Sequence, residues 1–460
     1  MTKNLFKDFN PVSSKAWKQK IQVDLKGADY NDTLVWQSLE GIHVRPTYHA
    51  DDVEKVISIP GHPTHWNIAQ TIFIDKEDIA NSLALNSIKR GAEALIFTAE
   101  TSFEIAQVFN NFPFEKATLY FEFQFLEEPF LLKLISFLTE KNASVFYNID
   151  LLGNLAKTGN WFYNLKRDHE ILEKLQKKFT DKNLISVDTS IYQNAGANIV
   201  QQLAYGLAHA NEYIHHFNTN AGASNTCNGT LITFKTATGS NYFFEIAKIR
   251  ALRLLYASLA AAYNISETCH VISRPSRRNK TLYDYNVNML RTTTETMSAV
   301  LGGANTVCNL PYDALYHKSN EFGERISRNQ LLILKNESYF DTVSNPADGS
   351  YYIETITQQL AEQALEVFKL IEKGGGLLAQ LKDGTLQKKI KESAKKEQEW
   401  FDAGKLVLVG TNKYPNDADR MKSDLELYPF VKTNARKTEI EPIIAKRLAE
   451  KVEQERLSHE

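Results

Sequence analysis

Between Ser186 and Ala197 the chain reads Ser-Val-Asp-Thr-Ser-Ile-Tyr-Gln-Asn-Ala-Gly-Ala. Leu184, Ile185 and Val187 make a short apolar run, Asp188 to Gln193 are polar or mixed, and Ala195-Gly196-Ala197 opens a helical pattern reaching about His216. That order describes a buried strand, a loop and a tightly packed helix. In parallel α/β folds the loop leaving a strand is where chemistry sits. Tyr192 and Asn194 could support acid–base or hydrogen-bonding chemistry there, but a hydroxyl or amide in a closed pocket is usually a satisfied structural group. Ile191, between Ser190 and Tyr192, can neither donate nor accept a hydrogen bond.

Other reactive residue types are scattered. His215 and His216 are adjacent on a helix, so their side chains diverge by about 100° and cannot chelate one ion together. His62 and His65 form an HxxH in a proline-containing loop, with no carboxylate at motif spacing. Cys227, Cys269 and Cys308 lie far apart and form no CxxC, which argues against a zinc site or a disulfide framework and fits a reducing compartment. Arg291 to Glu295 could be a substrate site opening a helix, although Asp284 to Thr294 reads better as a structural network at a barrel mouth. Arg325 and Arg328, three apart on a helix, could bind a phosphate; a solvated or inter-subunit ion pair is the plainer reading. Gly374-Gly375-Gly376 reads as a helix C-cap, since no GxxxxGK[ST] follows.

The bulk composition narrows the function classes. The 460 residues are 43% hydrophobic and 23% charged, ordinary for a folded globular chain. A formal net charge of −2 leaves no basic surplus for nucleic acid or anionic membrane. The N-terminus lacks the apolar core of a signal peptide, and no run reaches the roughly 18 apolar residues of a membrane span. A cytoplasmic location is expected.

The elements that must position these residues repeat along the middle of the chain. Short β-rich runs fall at Ala94–Phe97, Ala117–Phe123, Ser144–Ile149, Leu184–Val187, Leu231–Phe234, Cys269–Ser273 and Thr306–Leu310, each followed by a helical stretch. A further strand within Trp66–Ile74 brings the count to eight, which predicts a (β/α)8 barrel of the TIM type, with strands covered on both faces. Helical periodicity from about Ala195 and from about Phe243 predicts two outer helices.

Residues 1–50 read as an N-terminal arm, with an amphipathic helix over Ser14–Leu25 and an extended piece over Thr33–Trp36. The barrel is expected over 51–355 and a C-terminal helical extension over 356–460. Within the extension a helix is predicted over about Glu354–Leu370 and a short strand over Leu406–Val409. Thr438 and Glu441 form a capping box for a last helix, whose stripe Ile440, Ile443, Ile444, Leu448, Val452 and Leu457 docks on its own barrel or on a partner, the former being favoured.

Several long segments carry a family resemblance. Lys18 to Tyr48 (KQKIQVDLKGADYNDTLVWQSLEGIHVRPTY), Asn241 to Tyr256, Asp284 to Asn305, and the pair Arg325 to Ser338 and Asn345 to Thr357 resemble, in the same order, segments of methylmalonyl-CoA mutases. The resemblance implies an acyl-CoA threaded through a TIM barrel. It also implies adenosylcobalamin on a separate flavodoxin-like domain, whose radical chemistry shifts the carbonyl-CoA group between neighbouring carbons.

Three departures from that pattern bear on function. The family's catalytic loop reads Ser-Gly-Tyr-His-Met-x-Glu-Ala-Gly-Ala; aligned without a gap on Ala195-Gly196-Ala197, Ile191 takes the place of the histidine that hydrogen-bonds the migrating thioester oxygen. Losing such a donor costs orders of magnitude in rate. Where catalytic chains resemble Trp-Thr-Ile-Arg-Gln-Tyr-Ala-Gly-Phe, this one reads Trp66 to Ile74 with Ala69 for the arginine and Thr71 for the tyrosine, removing charge-assisted partners for a carboxylate. The Asp-x-His-x-x-Gly motif of the cobalamin domain has no match, and only about 50 residues follow Leu406, so no cobalamin-binding domain is expected.

Ile191, Ala69 and Thr71 are therefore read as degenerate positions, with no catalytic, cofactor-binding or metal-binding residue assigned. The resemblance implies the small, non-catalytic subunit of a heterodimeric methylmalonyl-CoA mutase. Its partner would be a large catalytic subunit carrying adenosylcobalamin, and it would meet the acyl-CoA substrate only through the complex. The alternative is a catalytic barrel that borrows its cobalamin domain from a separate protein. A third possibility is a free-standing barrel with its own ligand.

Overall fold

The computed structural model describes residues 7–53, 57–220, 231–432 and 435–460, apart from the side chains of 219 and 220. Cys227 lies outside the described residues. Eight parallel strands close into a barrel: β1 (Asn67–Phe73), β2 (Ala94–Ala99), β3 (Thr118–Phe123), β4 (Val145–Ile149), β5 (Asn183–Asp188), β6 (Thr233–Thr238), β7 (His270–Pro275) and β8 (Thr306–Cys308). Each overlaps an expected strand. Closure is made by β8 on β1, with Thr306, Val307 and Cys308 opposite Asn67, Ile68 and Ala69.

Helices clothe the barrel. Tyr242–Ala262 is buried along most of its length between Ile199–Asn220 and Tyr351–Lys373. Its arginines are partnered in place: Arg250 is ion-paired to Glu354 at 2.7 Å and to Asp348, and Arg253 donates to the carbonyls of Gly303 and Cys269. After β2 the expected helix is a single turn, Ile105–Val108. Phenylalanines fill the space instead, Phe109 packing edge-on against Phe97 and Phe112 with ring centroids 5.3 Å away from each.

Four local expectations are corrected. First, the loop after β5 is a helical turn, Ser190–Asn194, and the long helix starts at Ile199 rather than Ala195. Gly196 makes the bend between them at φ +101°; a Cβ there would sit 2.5 Å from the Cβ of Ala394. Second, the capping box at Thr438 starts no helix, and the last helix spans only Glu450–Ser458. Pro442 would fall inside that helix without an N–H to give. The N–H groups of Glu439 and Ile440 go to the carbonyl of Gly159, and those of Ile443, Lys446 and Leu448 to Ala156, Asn194 and Arg278. Ile440, Ile443 and Leu448 are buried on the chain's own barrel, whereas Ile444 is exposed. Third, Leu406–Val409 is not a strand; Val409 makes an isolated bridge to Lys413. Fourth, Thr33 and Leu34 close a short helix, Tyr30–Leu34, and the extended piece is Trp36–Gln37 paired with His43–Val44.

The arm contrasts with the barrel it joins. Its helix Ser14–Asp24 buries no residue and leaves Trp17 and Val23 exposed. The hairpin beyond rests on the barrel's outer helices, Trp36 meeting Phe244 edge-on and Tyr48 meeting Tyr352.

Candidate functional site

The lower half of the barrel axis is packed solid. Tyr120, Phe146 and His270 stack across the interior, the ring centroids of Phe146 and His270 being 4.1 Å apart. The Tyr120 hydroxyl sits 2.8 Å from both Nε2 of His270 and Oγ1 of Thr306. All three rings come from the first half of their strands, so they fill the end opposite the strand C-termini. Burial, with Arg253 nearby, drives the His270 pKa down to about 3.

Above this floor opens a cavity of about 1870 Å³ over the C-terminal ends of the strands. Four charged side chains from four strands meet in it, Lys235 being level with Asp188 at the end of β5. Lys235 lies 3.0 Å from Asp188 and 3.5 Å from Glu122, and Arg274 lies 3.2 Å from Glu122. Burial alone would raise the pKa of Glu122, but Arg274 and Lys235 hold it below the ordinary carboxylate value. Asp188 is likewise depressed against the effect of burial, by Lys235 and by Ser190. Asp188 and Glu122 raise Lys235 in spite of its burial. A lysine so held is no nucleophile, and neither carboxylate is poised as a base near neutral pH.

Ile191 lines this cavity, as do Ala69 and Thr71. Ile191 and Ala69 are buried, and Thr71 Oγ1 is 3.5 Å from Sγ of Cys308. The structure thus brings the three sequence-singled positions to one cavity. Tyr192 turns away into the core, its hydroxyl 3.2 Å from Nδ1 of His209. Nε2 of His209 is 2.9 Å from Oδ1 of Asp150; because the carboxylate can only accept, Nε2 carries the proton and Nδ1 accepts from Tyr192. Asp150 also accepts from the Gly153 N–H and the Tyr213 hydroxyl, and it caps the helix Leu151–Thr158. Asn194 accepts from Ser276 Oγ and from the Arg277 N–H, tying two mouth loops together.

The remaining sequence candidates are dispersed. Arg291 donates to Thr281, Asn288 and the carbonyl of Val409. Arg328 is buried against Gln70, and Arg325 lies over the Phe322 ring. His216 contacts Glu173, His65 contacts Asp341, and Nδ1 of His62 faces the carbonyl of Pro63. Among the described residues no group of three or more His, Cys, Asp or Glu could hold a metal ion, and no helix is long and apolar enough to cross a membrane. Sequence reasoning missed Glu122, Lys235 and Arg274. A lone charge closing an apolar run, as in Tyr-Phe-Glu and Thr-Phe-Lys, was the available signal.

The sequence model of methylmalonyl-CoA mutases matches residues 98–458. A methylmalonyl-CoA mutase small subunit of Porphyromonas gingivalis is 32% identical over 444 residues, covering 90% of this chain and 71% of that one. The chain belongs to the methylmalonyl-CoA mutase family. Two further relatives are a methylmalonyl-CoA mutase of Cereibacter sphaeroides, 27% identical, and a small subunit from Streptomyces virginiae, 25% identical. They match 87% and 90% of this chain, which spans 64% and 72% of their lengths.

Within the mutase family the question of cobalamin falls on the mouth. Among the described residues the one histidine lining the cavity is His317, whose Nδ1 is 3.2 Å from Asp313. The Asp313–His317 pair lacks the Asp-x-His-x-x-Gly spacing of the family's cobalt-binding motif, so among the described residues the cavity lining does not match that motif.

Proposed function

We propose that the chain is the small, non-catalytic subunit of a heterodimeric methylmalonyl-CoA mutase. It pairs with a large subunit that holds adenosylcobalamin and interconverts methylmalonyl-CoA and succinyl-CoA. The observation that carries this reading is Ile191: at the wall of the mouth, where the family's catalytic loop has a histidine, stands a buried hydrocarbon with no hydrogen to give. No migrating thioester oxygen could be polarised from that position.

The packed axis supports the same reading. An acyl-CoA threaded through the barrel needs a path along it, and the stacked Tyr120, Phe146 and His270 occupy that path. Ala69 and Thr71 supply no cation for a substrate carboxylate. What the chain keeps is a stable barrel and an arm, residues 1–50, whose helix has apolar residues with nothing of its own to cover. The arm is the part that would embrace the large subunit.

The test is expression of the chain alone and together with the large mutase subunit of the same genome. Stoichiometric co-elution is expected, with adenosylcobalamin-dependent turnover that survives Ile191→Ala. Turnover by this chain with only a free cobalamin-domain protein added would establish the alternative, a catalytic barrel, and end the non-catalytic reading.

A further inference from the structure

The mouth cavity is electrically lopsided. On the side of Ile191 Glu122 is ion-paired with Arg274 and Lys235 and Asp188 with Lys235, while Asp150 accepts hydrogen bonds from His209, Tyr213 and the Gly153 N–H. Four more cations line the same side, Lys157, Arg277, Lys432 and Arg436. Among the described residues none of the four has a carboxylate within 4.0 Å. Arg436 gives one N–H to the carbonyl of Thr158, and the backbone N–H of Arg277 is spent on Asn194. A cleft wall with a surplus of one sign of charge concentrates solutes of the other.

A second, independent observation lies deeper in the same cavity. Asn148 lines it and is 6% exposed, and neither Nδ2 nor Oδ1 has a partner. It stands at φ +46°, where β4 slips register against β5 between Phe146 and Ile149. Buried amides are nearly always paired. Arg274 also lines the cavity, with Nε and Nη2 unpartnered; these two carry the parallel N–H bonds that grip oxyanions side-on.

We propose that the Ile191 side of the mouth binds a small polyanion, a molecule bearing phosphate groups or several carboxylates. Lys157, Arg277, Lys432 and Arg436 attract its charges at the rim, and the Asn148 amide hydrogen-bonds it inside. The site is assembled from distant parts of the chain: the helix after β4, the loop after β7 and the segment preceding the last helix. Ile191, Ile443 and Ile444 give it an apolar flank, so the ligand carries a hydrocarbon or aromatic part beside its charges. The proposal rests on the non-catalytic reading of this chain, since the site shares the cavity in which the family's catalytic histidine would stand.

Titration calorimetry of the full chain with pyrophosphate, and separately with citrate, at low and moderate salt tests this. Saturable one-site binding is expected with at least one probe, and the tighter of the two distinguishes a phosphate ligand from a carboxylate one. R277Q/R436Q should weaken it on the order of tenfold or more. N148D, which keeps the side-chain shape and adds a like charge, should weaken it as well. K389Q/K395Q, on the exposed helix Thr385–Asp402, should leave it unchanged. Circular dichroism melts establish that each variant is folded, and bound probe should protect Lys157 and Lys432 from acetylation read by mass spectrometry. No saturable binding by either probe, equal loss in K389Q/K395Q, or no protection of those lysines would overturn the proposal.

Discussion

The two ends of the barrel axis are built on opposite principles. The floor, made by Tyr120, Phe146 and His270, is aromatic and closed, and its two ionisable rings, Tyr120 and His270, are kept neutral by burial. The mouth, made by Glu122, Asp188, Lys235 and Arg274, is hollow and charged, and its groups are kept ionised by one another. Packing density holds the first and charge pairing the second. The floor should therefore respond to changes of shape, and the mouth to changes of charge.

Acid separates the two ends most strongly. His270 titrates near the ordinary imidazole value when unfolded and at about 3 when folded, so the unfolded chain binds the extra proton first. Its contribution to stability is present above about pH 6.5 and lost as pH falls towards 3, a span worth roughly 5 kcal/mol. H270Q should flatten the pH dependence of urea unfolding across that window. Glu122 and Asp188, whose folded pKa values are depressed, act lower: their stabilisation is present above the unfolded carboxylate values of about 4 and disappears below them.

Truncation gives the next contrast. F146A should cost about 3–5 kcal/mol in urea unfolding, because the ring's neighbours cannot collapse into the void. K235M at the mouth should cost about 3 kcal/mol at pH 7, by leaving two carboxylates with too little positive charge. That loss should shrink as the carboxylates protonate, which the F146A loss should not do; equal pH profiles for the two variants would erase the distinction.

Gly159 tests how the mouth is bordered. It holds φ +80°, and a Cβ there would sit 2.7 Å from the carbonyl oxygen of Ile440. G159A should cost about 1–2 kcal/mol and speed hydrogen exchange at the amides of Glu439 and Ile440, which donate to Gly159. The smallest effect on the chain itself is expected from W17A, within about 0.5 kcal/mol, since nothing is buried by that helix. On the proposed reading of the arm, W17A should instead weaken co-elution with the large subunit.

Legibility in the sequence followed the range of the interactions. The eight strands could be read because each is a local apolar run between turn signals, and the helix Tyr242–Ala262 because its apolar face repeats within a few turns. The final helix was placed too early because only part of the stripe from Ile440 to Leu457 belongs to it: Ile440, Ile443 and Leu448 reach the barrel from a non-helical backbone whose N–H groups find carbonyls far away in sequence, and only Val452 and Leu457 lie in the helix. Ile191, Ala69 and Thr71 were legible through family resemblance. Asn148 and the four-charge cluster were not, since a single polar residue within a strand says nothing about what faces it.

The sequence by itself determined the alternation of strand and helix, and hence a closed parallel barrel with an unusual hydrocarbon in the loop after its fifth strand. Side-chain period and turn chemistry are local properties, so they survive in one dimension. Only the tertiary structure decided that the axis is filled at one end and hollow at the other. It also decided that Lys157, Arg277, Lys432 and Arg436 stand round one cavity. Those facts depend on which side chains meet across a barrel, from strands and loops far apart in sequence, and no short-range pattern encodes them.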